Sequence, residues 1–472
     1  MKKALLILLI FLSYMNLSAQ TSDSIKFPVL KLDIQLFDLP YQLDAAKTVG
    51  NGSVNFGSFM KGYANPSMSQ SLALTSSLYS AAHSGIDQLF EGSKFSKKKR
   101  RDFLHAATLF LSDFILIYAP GGDGWLHEEY HRAVMSRFHI NSFNDMNTFP
   151  IGSELISVNS VKDEDLIRLK RDNPYDFIRM HVAGIEGEYL LVDNLQRNNF
   201  FYRQNTSHEF LYLLATINSA YYVTICSQAS QVNQLTDEMN SKETNIQDRD
   251  FTGLDFSAWA YDLFHPAEPY ENRGIHPSGI GIDRYIKTTD LDDKALKYLR
   301  NQGRLQWLNL ISPMIFFRKA IIINENLRYN FAVRNILTPF GNDISLNVFL
   351  QRNQHNYVFA YHHARNYNKS FPAIQAELFE HPVYIKNSKF LISPKIITGL
   401  QPKDQSFTTS RSEFLGLASC RIDWIPKSII KPYFEVIAKT NGWIAGNAYL
   451  NSNLSLKFGI TAWFYKKSLL TD

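Results

Sequence analysis

The feature that most constrains this chain is a change of hydrophobic period near residue 320. From Ile344 onward the period is two: Ile344, Leu346, Val348 and Leu350 alternate with Ser345, Asn347, Phe349 and Gln351. Leu454, Leu456, Phe458, Ile460, Ala462 and Phe464 alternate in the same way with Ser455, Lys457, Gly459, Thr461 and Trp463. Successive side chains of a strand point to opposite faces, so each segment has one apolar and one more polar face. Turn-forming residues such as Gly341-Asn342-Asp343 and Asn441-Gly442 separate the segments. The pattern predicts strands near 327–336, 343–352, 356–365, 372–380, 389–399, 411–424, 430–440 and 452–465.

Before residue 320 the chain reads as helices. Apolar runs predict helices over 69–90, 102–118, 125–138, 185–195 and 209–227, the second stopped by Ala119-Pro120-Gly121-Gly122. The run 210–226 is close to membrane-span length, but Asn218, Ser219 and Thr224 interrupt it, which favours a buried core helix. The expected fold class is therefore α+β, a helical N-terminal half followed by an antiparallel, β-barrel-like C-terminal half. The boundaries run 1–19 for a leader, 20–66 for an extended segment, 67–318 for the helical domain and 319–472 for the β domain.

The leader reading rests on Lys2 and Lys3, the apolar stretch 4–12 and a small residue at Ala19 before the cut. It implies export to the cell envelope. Several strands reach ten residues or more, a length suited to tilted transmembrane strands, and this half resembles bacterial outer-membrane β-barrels. That resemblance implies the outer membrane as the location, with the periplasm as alternative. It departs from the pattern at its end, where Phe464 and Tyr465 are followed by residues 466–472. The formal net charge is +5, two units of which lie in the leader, too little to imply a nucleic-acid partner. Cys226 and Cys420 are too few for a disulfide framework and read as small hydrophobes.

Chemistry concentrates in His127-Glu128-Glu129-Tyr130-His131, an H-E-x-x-H pattern inside a predicted helix. Two histidines four apart share a helix face and can reach one Zn²⁺, while Glu128 stands beside the first ligand. The five residues resemble the zincin zinc metallopeptidases. The resemblance implies His127 and His131 as metal ligands, Glu128 as general base and proton shuttle, and a peptide or protein as substrate, hydrolysed by metal-activated water. The third histidine of one zincin branch is absent, and His139 does not match its spacing. By likeness to the gluzincin branch, Glu186 is the expected third ligand, ahead of Glu188 and His181, with Asp193 as a supporting carboxylate. The Gly-rich loop 272–285 offers His276 and Arg284 as carbonyl stabilisers, with an ordinary connector as the competing reading. The basic run Lys97–Arg101 reads as a solvated turn or a lipid-phosphate contact. His362 and His363, adjacent in a strand, point to opposite faces and read as structural. The alternative for the whole chain is a non-catalytic outer-membrane barrel or envelope scaffold.

Overall fold

A computed structural model describes residues 30–48, 64–91, 98–147, 157–202, 207–353 and 355–464. The leader, residue Lys97 and the C-terminal 465–472 lie outside the described residues.

In chain order, strand β1 (Leu30–Leu39) leads into helices α1 (Tyr41–Thr48), α2 (Met68–Glu91), α3 (Lys98–Ile117) and α4 (Asp123–Arg137). A two-stranded ribbon, β2 (Phe143–Asn144) with β3 (Val158–Asn159), precedes α5 (Asp163–Asp172) and the long α6 (Pro174–Phe201). Helices α7 (Glu209–Ile225), α8 (Ala229–Lys242), α9 (Asp255–Phe264) and α10 (Asp293–Leu305) follow. The remainder is β4 (Ile321–Asn324), β5 (Leu327–Thr338), β6 (Gly341–Arg352), β7 (His355–Arg365), β8 (Ser370–Phe379), β9 (His381–Ile385), β10 (Ser388–Pro402), β11 (Ser412–Trp424), β12 (Ile430–Lys439) and β13 (Asn453–Phe464). β5 to β8 and β10 to β13 fall on the eight alternating segments almost residue for residue, because a period of two fixes where each lies, whereas β1 to β4 and β9 lie outside them.

All eleven strands other than β2 and β3 form one antiparallel sheet, in the order β1-β13-β12-β11-β10-β8-β7-β6-β5-β4, with β9 paired to the start of β10. The expectation of a barrel needs correcting: the sheet is not closed, and its outer strands β1 and β4 do not pair with each other. The physical reason lies on the free edge of β1, where side chains take the place of a neighbouring strand. The Asp33 N–H donates to Ser77 Oγ at 2.7 Å, and the Ser77 hydroxyl donates back to the Asp33 carbonyl at 3.0 Å. Gln70 Nε2 donates to the carbonyls of Gln35 and Leu36, and Gln42 Oε1 accepts from the Asp38 N–H. An edge strand whose backbone groups are already satisfied offers no template for closure. Residues 30–39, part of the segment expected to be merely extended, thus join the sheet by pairing with β13 in register Leu30↔Phe464 to Leu39↔Leu456.

The sheet curls around α6. At 1.5 Å per residue this 28-residue helix is about 42 Å long. Its last turns lie against the concave face: Arg197 pairs with Glu377 at 2.5 Å, Gln196 accepts from Arg334, and Tyr202 donates to Glu380, which also pairs with Lys31 at 2.8 Å. Phe200 and Phe201 pack with Phe349 and Val358 at the far end. Its first half packs on α4 in the main helical core, where Leu126, Tyr130 and Val134 meet Met180, Ala183 and Leu191. The helical layer sits on the hairpin end of the sheet, with Trp259, Leu337, Phe340, Phe407 and Trp443 in one cluster.

Helices α2, α3 and α7 stand side by side and are joined by a buried polar chain. His83 on α2 bonds to Asp113 on α3, and its other ring nitrogen lies 2.6 Å from His208 Nδ1 at the start of α7. Cys226 and Cys420 are free thiols, the first buried and the second half-buried. Among the described residues no single helix is long and apolar enough to cross a membrane.

Candidate metal centre

Helix α4 is buried on nearly every side, from Trp125 to Ser136. Its His127 and His131 lie one turn apart with ring centroids 4.9 Å from each other, so both rings face α6 and α9. Each ring is held by its Nδ1. His131 Nδ1 lies 2.5 Å from the Met180 carbonyl, and His127 Nδ1 lies 2.7 Å from Glu188 Oε1. A carbonyl and a carboxylate only accept hydrogen bonds, so both Nδ1 atoms are donors. In the neutral rings, each Nε2 therefore carries a lone pair. Glu188 is itself fixed by the Ser219 hydroxyl.

The two Nε2 lone pairs converge on Asp255 at the first turn of α9. Asp255 Oδ2 lies 3.0 Å from His127 Nε2 and 3.5 Å from His131 Nε2. His131 Nε2 is a buried nitrogen with no hydrogen-bond partner. Two imidazole lone pairs and a carboxylate oxygen repel one another unless a cation or protons sit between them. In the protein alone, protons serve. Burial pulls the His127 pKa down, but the hydrogen bonds to Asp255 and Glu188 outweigh it and raise the value well above that of free histidine. Burial likewise pushes Asp255 up, yet the facing His131 and His127 hold its carboxyl below the usual range.

Space for an ion is provided by Gly184 on α6. A Cβ at this position would collide with Nε2 of both His127 and His131. That point is close to the ~2.0–2.1 Å at which Zn²⁺ binds imidazole nitrogen. Among the described residues, His127, His131 and Asp255 are the group whose donor atoms lie within reach of a single metal ion. The residues present thus fit a divalent cation.

Glu128 is almost fully buried, and no described residue hydrogen-bonds to its carboxylate. Burial pushes its pKa up to about 7, with the neighbouring His127 and His131 pulling the other way. Glu129 points elsewhere, into Arg132 at 2.6 Å and Asn144 at 2.9 Å, and stabilises the helix.

The other residues singled out from sequence occupy different places. Glu186 is not at the centre. Its carboxylate holds Arg179 through two bonds of 2.9 and 3.0 Å and accepts from Trp443 Nε1 and the Gly446 N–H, tying α6 to the loop before β13. Glu188 supports His127 rather than facing the space beside Nε2. His181 is bonded to Asp262 at 2.9 Å and to the Thr252 hydroxyl, one loop away from Asp255. Asp193 lies toward Arg334 on β5. His139 contacts the Asp44 carbonyl at the surface, His276 bonds to Ser278, and Arg284 is buried against Asp163, so the loop 272–285 is a structural connector. His362 pairs with Asp343.

Asp255 was missed because it lies 128 residues beyond His127. Its local signal, a carboxylate starting an apolar helix after Gly253, is that of any helix N-terminus. Gly253, at φ +75°, lets Tyr285 pack against the backbone where a Cβ would clash, and so sets the approach of the chain to the site.

Fold and site together define a mixed helix-and-sheet protein with a buried two-histidine, one-carboxylate cluster. No protein-family description matches the chain, and neither do any curated protein or solved structure.

Proposed function

We propose that this chain is a zinc-dependent hydrolase of the cell envelope that cuts peptide bonds. The observation that carries the reading is the convergence of the His127 and His131 Nε2 atoms and Asp255 Oδ2 on a space kept open by Gly184, with the Glu128 carboxylate in electrostatic reach of all three. Three protein ligands, two histidines and a carboxylate, is the ligand number of catalytic rather than structural zinc. Zn²⁺ held there would polarise the scissile carbonyl and make its water acidic near neutral pH.

The chain's own groups supply the rest. Met180 and Glu188 lock the ring tautomers so that both Nε2 atoms face inward. Glu128, free of hydrogen bonds, is the group to take the proton of the attacking water and pass it to the leaving amine. Its elevated pKa suits a residue that must both accept and release a proton near neutrality. All four side chains are nearly fully buried, which holds the ligands and Glu128 in place.

The test is metal content and turnover on purified protein. Wild type is expected to hold about one zinc per chain, and His131→Ala and Asp255→Ala to hold none. Glu128→Gln should retain the metal and lose hydrolysis of an unstructured peptide mixture by about 10²–10⁴-fold. Zinc retained by Asp255→Ala would reject the ligand set. Full turnover in Glu128→Gln would reject the base. Zinc bound with no turnover in wild type would leave a structural metal site in an envelope scaffold.

A further inference from the structure

The polarity of the large sheet is inverted relative to a soluble fold. On β12 the outward residues are Ile430, Pro432, Phe434, Val436 and Ala438, while Lys431, Tyr433, Glu435, Ile437 and Lys439 face inward. β11 repeats the pattern: Phe414, Ala418, Ile422 and Trp424 are exposed outside, and Arg421 and Asp423 lie inside. The inner charges are matched across a cavity of about 230 Å³ beside the end of α6, where Lys31, Arg197, Lys395 and Arg421 meet Asp33, Glu377, Glu380 and Glu435. A soluble sheet buries its apolar face; here the apolar face is bare, and the polar face holds the helix and the cavity.

The same inversion continues where strands are lacking. The gap between β1 and β4 is filled by α2, packed on β1, then α3, then α7, which reaches the turn Pro313–Phe316 beside β5. The outward face of α3 carries Phe103, Phe110, Leu111, Phe114 and Ile115, all exposed, and α7 adds Ile217 and Tyr221. The polar groups of these helices point the other way, into the buried chain of His83, Asp113 and His208.

We propose that this wall, strands and helices together, is seated in the hydrocarbon of a lipid bilayer, with α2, α3 and α7 standing in for the strands that would close a barrel. Four facts select lipid over a protein partner. The apolar surface runs all the way round, across eight or more strands and three helices, which a single docking partner could not cover. Strands of 10 to 15 residues, at the ~45° tilt of membrane barrels, would span roughly 24–36 Å, enough to cross the ~25–30 Å hydrocarbon layer. On the unpaired edge of β1, Ser77, Gln70 and Gln42 bond the N–H groups of Asp33 and Asp38 and the carbonyls of Asp33, Gln35 and Leu36, the kind of satisfaction hydrocarbon requires. The exposed Lys98, Lys99 and Arg100 at one end of α3 match anionic headgroups. This inference does not depend on the metal centre, which lies on the hairpin side of the wall.

The experiment uses the full chain reconstituted in phosphatidylcholine–phosphatidylglycerol vesicles. In a Cys420→Ser background, spin labels go singly onto Ile396→Cys, Phe434→Cys and Leu456→Cys on the sheet and onto Phe110→Cys and Ile115→Cys on α3. Glu238→Cys on α8 is the aqueous control. The ratio of collisions with oxygen to collisions with a water-soluble nickel chelate should exceed one at all five wall positions and fall below one at Glu238→Cys. A ratio below one on the sheet overturns the proposal. A ratio above one on the sheet but below one on α3 overturns the helical closure. A chain that stays monodisperse in detergent-free buffer and does not enter vesicles overturns it entirely, and self-association in that buffer would assign the apolar face to further copies of the chain. Metal content is unaffected in each arm, so failure here is separable from failure of the hydrolase reading.

Discussion

At the residue scale, the centre depends on one missing side chain. Gly184→Ala would place a methyl group on the two Nε2 atoms, so the rings must move or the helices part. Overpacking of this kind costs about 1–3 kcal/mol. We expect Gly184→Ala to lose zinc altogether and to unfold at lower denaturant, and retention of stoichiometric zinc would show that the ion does not sit there. Glu188 acts through His127, so Glu188→Gln should weaken zinc binding by about 10–100-fold while leaving a folded protein, as a competitive chelator titration would reveal. Glu186 gives the contrasting case. Removing it strands the fully buried Arg179 and frees Trp443 and the loop at Gly446. Glu186→Ala should therefore cost roughly 3–5 kcal/mol of stability with zinc content unchanged, measured by chemical denaturation and metal analysis. Loss of zinc with unchanged stability would restore Glu186 as a ligand.

At the element scale, α6 serves two functions along one axis. Its first half carries the groups around the metal centre, and its second half fills the curled sheet. The sequence suggested a helix only over 185–195, whereas α6 runs from Pro174 to Phe201 through both Gly184 and Gly187, each of which weakens helical propensity. Both glycines are kept for contact: at 187 a Cβ would press on the Tyr130 ring, and at 184 on the histidines. The burial gained between α4 and α6 offsets about 1 kcal/mol of propensity lost at each glycine. Between α6 and α9, Asp262 gathers Lys170 at 2.5 Å, Arg273 at 2.7 Å and His181 at 2.9 Å. Burial would raise its pKa, but Arg273 first, then Lys170 and His181, hold it far below the usual range. His181 is shifted downward, burial outweighing the attraction of Asp262. The folded state therefore keeps His181 neutral where the unfolded chain takes up a proton. Its contribution is present above the free-histidine pKa of about 6.5 and lost as pH falls below it, by at most about 1.4 kcal/mol per pH unit. With zinc bound, wild-type stability should thus fall more steeply than that of His181→Gln between about pH 6.5 and 5. Parallel slopes in pH-dependent urea unfolding would reject this.

At the scale of the whole molecule, the chain is a wall of strands and three helices wrapped round one helix, with the buried cluster of His127, His131 and Asp255 above. An arginine on the outside of that wall, Phe434→Arg, should cost about 2–4 kcal/mol of stability in bilayers if the wall faces lipid. It should cost little in a soluble protein, so unfolding from vesicles distinguishes the two. The amino-acid sequence by itself determined eight of the eleven strands of the large sheet, since a period of two marks where each lies, and the pair His127 and His131, since four residues are one helical turn. It also determined which face of each strand is apolar. Only the tertiary structure decided that the sheet stays open, because satisfaction of the β1 edge depends on Ser77 and Gln70 arriving from another helix. Only it chose Asp255 over Glu186, because both are carboxylates near helix residues of similar composition and differ in what folding brings opposite them: two imidazole lone pairs for one, a buried guanidinium for the other.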